Sequence, residues 1–128
     1  MEHNTITKLN LIKSEVQKLS QKTHVIAISK TFQLDYILPL INHGHLHFGE
    51  NKVKEAVEKW SNIKKENANI KLHFVGKLQT NKVKYSIPLF DYIHSLDNLK
   101  LAEKISVEQL KKKIKPKIFI QVNIGNEP

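Results

Sequence analysis

Lys30 is the first residue whose type and place suggest chemistry. It ends the apolar run HVIAISK, residues 24–30. An amine at the C-terminal end of such a run stands near a partly desolvated pocket. Desolvation and neighbouring cations lower a lysine's pKa and free its lone pair to attack an aldehyde. A solvated strand-end lysine fits the same position, and the position alone leaves both readings open.

FGEN (48–51) is a second candidate. Gly49 lets the backbone turn tightly, and Asn51 then either caps the next helix or offers its amide to a ligand. HGHLH (43–47) sets three histidines at a spacing of two. On a strand they would share a face, but no carboxylate completes a metal site, so no metal is expected. His73 and His94 each lie in an apolar segment, where a hydrogen-bonded interior histidine is commoner than a ligand. QTNK (79–82) offers amide and hydroxyl groups either to a ligand or to a turn.

Two alternating periods must position these residues. Ile6, Leu9, Ile12, Val16 and Leu19 repeat every three or four residues and predict a helix over 5–20. Residues 24–30 predict a strand buried on both faces, as in parallel sheets. A helix follows over 31–44, closed by Gly44 and kinked or shortened by Pro39. HLHFGEN (45–51) predicts a strand, and Val53, Ala56, Val57, Trp60 and Ile63 give the next helix an apolar stripe, with Glu and Lys on its outer face. Further strands are predicted over 69–76, 91–95 and 117–125, with a short helix before Pro88. A last helix has Leu99, Ala102, Ile105 and Leu110 on its apolar face and Ser95 or Asp97 as its cap.

This βα alternation implies a parallel sheet. The turn after the first strand, SKTFQLD, has no glycine, which argues against a dinucleotide fold. A barrel remains, with about five of its eight strands in the sequence.

The 128 residues fit one domain. There is no run of about 18 apolar residues to cross a membrane, and the polar start does not read as an export signal. Cysteine is absent, which removes disulfides and thiolate chemistry. A cytoplasmic protein is expected. The net charge is +9, yet every basic residue is lysine. The lack of Arg, the usual phosphate and guanine reader, argues against nucleic-acid binding.

VIAISKT (25–31), HFGENKVKEAVEKW (47–60), LHFVGKLQTNKVK (72–84), FDYIHSLDNLKLAEKI (90–105) and IFIQVNIGNEP (118–128) together resemble the pyridoxal 5′-phosphate (PLP) homeostasis family. This is the YggS/PROSC type, similar to the N-terminal domain of alanine racemase. The resemblance implies a PLP fold type III barrel of the TIM (β/α)8 kind. Residues 1–128 would form its N-terminal portion, truncated after the fifth strand. It implies that Lys30 carries PLP as a Schiff base, that Asn51 lies beside the cofactor, and that His73, Ser95 and Asn123 line the same pocket. It also implies a protein that holds and buffers PLP without catalytic turnover. Two departures stand out. Phe32 occupies a position where members often carry a second lysine, and the family's phosphate-binding cluster after the late strands is missing. The alternative expectation is a fragment that binds no PLP until a second polypeptide supplies the remaining strands. Ile118, Ile120, Val122 and Ile124 are expected to face inward and to lose partners from those strands.

Overall fold

A computed structural model describes residues 3–125. The elements run α1 (Asn4–Leu19), β1 (Ala27–Ile28), α2 (Leu34–Asn42), β2 (His47–Glu50), α3 (Val53–Glu66), β3 (Lys71–Phe74), a 3-10 turn (Thr80–Lys82), α4 (Val83–Ser86), β4 (Tyr92–Leu96), α5 (Leu99–Lys112) and β5 (Lys117–Ile120). The five strands form one parallel sheet in the order β1-β2-β3-β4-β5. Each strand therefore lies beside the next in sequence. That is the order of a barrel wall, whereas a doubly wound sheet reverses direction partway.

Strand side chains alternate between two faces. Phe48, Leu72, Phe74 and Ile93 point into a core completed by Val53, Ala56 and Trp60 of α3 and by Leu101 and Ile105 of α5. Phe48 and Trp60 pack ring against ring at 4.9 Å, and both are fully buried. The other face carries Ile28, His47, His73, Tyr92, His94 and Phe119. It is only partly covered: Phe119 is 51% and Ile28 47% exposed.

Several expectations are corrected. β1 has two residues rather than seven, and it is an edge strand with Ile28 open to solvent, so it is not buried on both faces. Gly49 lies inside β2, not in a turn. The side chains of Ile28 and Ile26 would stand 2.7 and 3.3 Å from a Cβ there, so the absent side chain lets them cover the strand. α2 spans 34–42, shorter than 31–44, with Pro39 inside it. α5 is capped by Asn98, whose Oδ1 accepts the Leu101 N–H at 2.8 Å, not by Ser95 or Asp97. Its buried face is Leu101, Ile105 and Glu108, while Leu99 and Leu110 are exposed. β5 ends at Ile120, and of the expected inward set only Ile118 packs on the core; Ile120, Val122 and Ile124 are exposed. The three histidines of HGHLH do not share a face: His43 caps α2, His45 is buried, and His47 begins β2.

Candidate functional site

Lys30 lies just past the β1 ladder. The Ser29 N–H donates to Gly49 O at 2.9 Å, and the Phe32 N–H donates back to Ser29 O at 3.2 Å, so residues 29–32 form a tight turn. Thr31 sits in the left-handed region at φ 67°. That conformation costs a non-glycine residue about 1–2 kcal/mol, so its surroundings must hold it there. Ser29 is buried and Lys30 exposed, and no hydrogen bond or ion pair ties the Lys30 ammonium to another described residue. Beneath the turn lies an ionic cluster of buried Glu50, nearly buried Lys59 and half-buried Glu55. Phe32, exposed, packs on the Tyr36 ring at 5.8 Å.

The register places the other candidates relative to Lys30. Ile28, Gly49, His73, Tyr92 and Lys117 stand side by side across the sheet. Two residues further along each of the first four strands come Lys30, Asn51, Val75 and His94. Asn51 thus ends the neighbouring strand at the level of Lys30. Its Oδ1 is buried without a hydrogen-bond partner among the described residues. Such an atom costs about 1–3 kcal/mol unless a ligand or water satisfies it. Gly76 presses against this residue: a Cβ there would lie 2.5 Å from Asn51 O and 2.8 Å from Asn51 Cβ, so only glycine fits. Asn51, Lys77, Gln79 and Lys82 line a cleft of about 460 Å³. QTNK therefore supplies both a turn, over Thr80–Lys82, and cleft-lining groups.

His73 is engaged on both sides. Its Nε2 pairs with His47 Nδ1 at 3.0 Å, and its Nδ1 pairs with His94 Nε2 at 2.9 Å. A neutral imidazole has one donor and one acceptor, so His73 donates to one neighbour and accepts from the other. Its ring also stacks on Tyr92 at 4.3 Å. Burial, reinforced by the neighbouring His94 and His47, pushes the His73 pKa down to about 4. Desolvation lowers His94 and, together with His24, His47. The three rings form a neutral ladder across β2, β3 and β4, and both nitrogens of His73 are committed to it.

Ser95 is buried, and its Oγ is a second unpartnered polar atom among the described residues. Along β4, Ile93 and Ser95 are buried while Tyr92, His94 and Leu96 are half-buried. Ser95 therefore shares the side of Ile93, against the helices, and not that of His94. Asn123 lies beyond β5 and is exposed, its Oδ1 accepting the Gly125 N–H at 3.2 Å. The structure thus brings Lys30 and Asn51 to the same end of adjacent strands, sets His73 one step below them, and leaves Ser95 and Asn123 apart.

The helical periodicity places Glu55 and Lys59 among the outer charges of α3. Lys59 is instead nearly buried, with its side chain 9% exposed. Their i, i+4 spacing was the available signal, but the same spacing marks ordinary surface ion pairs.

Parallel strands in sequential order, with a free lysine at the C-terminal end of the first, define the class: the wall of a (β/α) barrel, here its first five strands. No protein-family model matches the chain. Curated relatives do. The pyridoxal phosphate homeostasis protein of Haemophilus influenzae is 31% identical over 134 residues, covering 99% of this chain and 55% of that protein. The protein of that name from Bos taurus is 36% identical over 110 residues, covering 80% and 40%. Among solved structures, PipY of Synechococcus elongatus PCC7942, solved with PLP bound, superposes with a TM-score of 0.82 at 32% identity, covering 91% of this chain and 54% of PipY. The chain spans about half the length of the relatives it matches. Over nearly all of its length the chain is similar to these pyridoxal phosphate homeostasis proteins and fits their N-terminal part.

Proposed function

We propose that this chain holds pyridoxal 5′-phosphate as a Schiff base on Lys30 and serves PLP homeostasis without catalytic turnover, in the cytoplasm. Residues 1–128 are read as the N-terminal part of an alanine racemase-like, PLP-binding barrel. The observation that carries the proposal is the pairing of an unengaged lysine with an unsatisfied buried amide oxygen, Asn51 Oδ1, at the same end of neighbouring parallel strands. Barrel proteins place ligands at that end. Relatives named for PLP homeostasis, and PipY with PLP bound, support the choice of ligand. The aldehyde of PLP supplies the electrophile for a lysine amine. Asn51 then accepts a hydrogen bond from the ligand, and Lys77 and Lys82 lend positive potential at the cleft beside it. Ser95 and Asn123 join such a pocket only if the closed barrel rearranges them.

The test is location, because the chain has 21 lysines and every accessible one can react with an aldehyde. PLP is added, the adduct is fixed with borohydride, and peptides are mapped. A dominant adduct at Lys30, absent in Lys30→Ala, is expected. Labelling spread evenly over surface lysines overturns the reading.

A second reading is favoured by the open sheet face, where Ile28, Val75 and Phe119 stand exposed. Stable PLP binding then requires the strands that complete the relatives' barrel, whether they follow in one polypeptide or come from another. Co-expression with the C-terminal half of the Haemophilus influenzae relative is expected to raise both solubility and labelling at Lys30. No change in either overturns this second reading.

A further inference from the structure

The residues on either side of Lys30 are tied down, and Lys30 itself is not. Lys59 Nζ donates to Ser29 O at 2.8 Å, to Glu50 Oε1 at 3.2 Å and to Glu55 Oε1 at 3.1 Å. The Ser29 hydroxyl donates to Glu50 Oε2. On the far side, the Thr31 N–H donates to Glu55 Oε1 at 2.6 Å. Three charged side chains from β2 and α3 thus grip Ser29 twice and Thr31 once.

We propose that Glu50, Lys59 and Glu55 are positioning residues for Lys30, fixing the backbone on both its flanks so that its amine meets an aldehyde ligand from a set origin. This rests on the reading of Lys30 as the Schiff-base residue.

The physical argument has three parts. First, the side chain of Glu50 is fully buried and that of Lys59 nearly so. Desolvating such a pair is costly, and an apolar pair of similar volume often serves stability as well or better. A stability role alone therefore gives little reason for it. Second, the Glu55–Thr31 bond accompanies the φ 67° of Thr31. A left-handed threonine relaxes readily unless something holds its N–H, and Glu55 does so. Burial alone would raise the Glu55 carboxyl; the Thr31 N–H and Lys59 outweigh it and hold the group below its ordinary range, ionised and accepting. Third, Lys30 has a long, flexible side chain. Fixing its backbone removes part of the orientational freedom that slows a bimolecular condensation.

Glu55 is the member to alter, because its side chain is 28% exposed and its loss leaves the Glu50–Lys59 pair in place. Two variants of the full chain are compared with the parent. Glu55→Ala removes the acceptor for the Thr31 N–H. Glu55→Gln keeps an amide oxygen there and loses only the charge. Hydrogen exchange at the Thr31 amide needs no PLP. It is expected to quicken about tenfold in Glu55→Ala, the scale of one lost hydrogen bond, and to return toward the parent in Glu55→Gln. The rate of borohydride-trapped PLP adduct at Lys30 is expected to fall severalfold in Glu55→Ala and to recover in Glu55→Gln, with the melting temperature lowered by no more than a few degrees. Unaltered Thr31 exchange in Glu55→Ala overturns the clamp. Faster exchange with an unaltered trapping rate overturns the positioning role. A parent that traps no PLP at Lys30 overturns the Schiff-base reading instead, and the exchange data then still judge the clamp.

Discussion

The two faces of the sheet are made by alternate residues of the same strands, yet they solve different problems. On the helix side, Phe48, Leu72, Phe74 and Ile93 meet α3 and α5 and are almost fully shielded. On the opposite side, the neighbours of those residues are imidazoles and partly bare apolar groups: His47, His73, His94, Ile28 and Phe119. The first face is sealed by elements within the chain, so its contribution to stability is local. The second has polar groups that satisfy each other laterally and apolar groups that the described chain covers only in part. A shared backbone therefore gives no guarantee of shared energetics; what matters is which face has a second layer.

That contrast is exposed most strongly by truncating each side. Trp60→Ala removes a fully buried ring from the sealed face. It should cost about 3–5 kcal/mol, enough to unfold much of a small domain, as a urea melt will register. Phe119→Ala, on the half-open face, should cost less than about 1 kcal/mol in the same melt. A comparable loss at both sites breaks the comparison.

Acid provides the next largest effect. His45 on the sealed side, against the Phe48 ring, and His73 on the open side each have a folded pKa of about 4, lowered from 6.5 chiefly by burial. Both are neutral in the fold. An unfolded chain takes up protons below its own pKa of about 6.5, while the folded groups resist until about 4. The contribution of these two groups to stability is therefore constant above pH 6.5 and is lost as pH drops from 6.5 toward 4. At one pKa unit per 1.36 kcal/mol, each group costs up to about 3 kcal/mol at the bottom of that window. Melting temperatures measured across it should show the decline. His73→Asn should flatten it while leaving the part due to His45, and an unchanged slope would count against the neutral ladder.

Lys30→Ala sits at the small end. With no partner to lose, it should shift stability by less than about 0.5 kcal/mol, while abolishing PLP trapping at that site. A large stability loss would mean that Lys30 is structural, and the reading of the turn would have to change.

Much of this architecture is legible from periodicity. Trp60 and Ile63 at helical spacing, and the β-branched and aromatic runs around them, are enough to order the α and β elements. The ends of elements are less legible, because they are fixed by contacts that have no local signature. β1 stops at Ile28 because the Ser29–Phe32 turn begins there, and α5 starts where Asn98, not its neighbour Asp97, reaches the Leu101 N–H. In the site, Lys30 and Asn51 can be found from their places after strands. The grip of Glu55 and Lys59 cannot, since an i, i+4 pair reads identically whether it faces water or the underside of a turn. The double engagement of His73 is equally invisible, because it depends on the register of three strands at once.

The strict sequential order of the sheet gives it a polarity. Its two rims are not equivalent: one is offered by β1 and the other by β5. Pairing of unlike rims would carry the parallel sheet on from one molecule to the next, head-to-tail, whereas like rims would meet antiparallel across a two-fold axis. Head-to-tail contacts close into rings when the rotation permits and otherwise run on into open filaments. Light scattering that grows with protein concentration would reveal this tendency, and a proline placed in the Lys117–Ile120 rim should suppress it by removing a backbone donor.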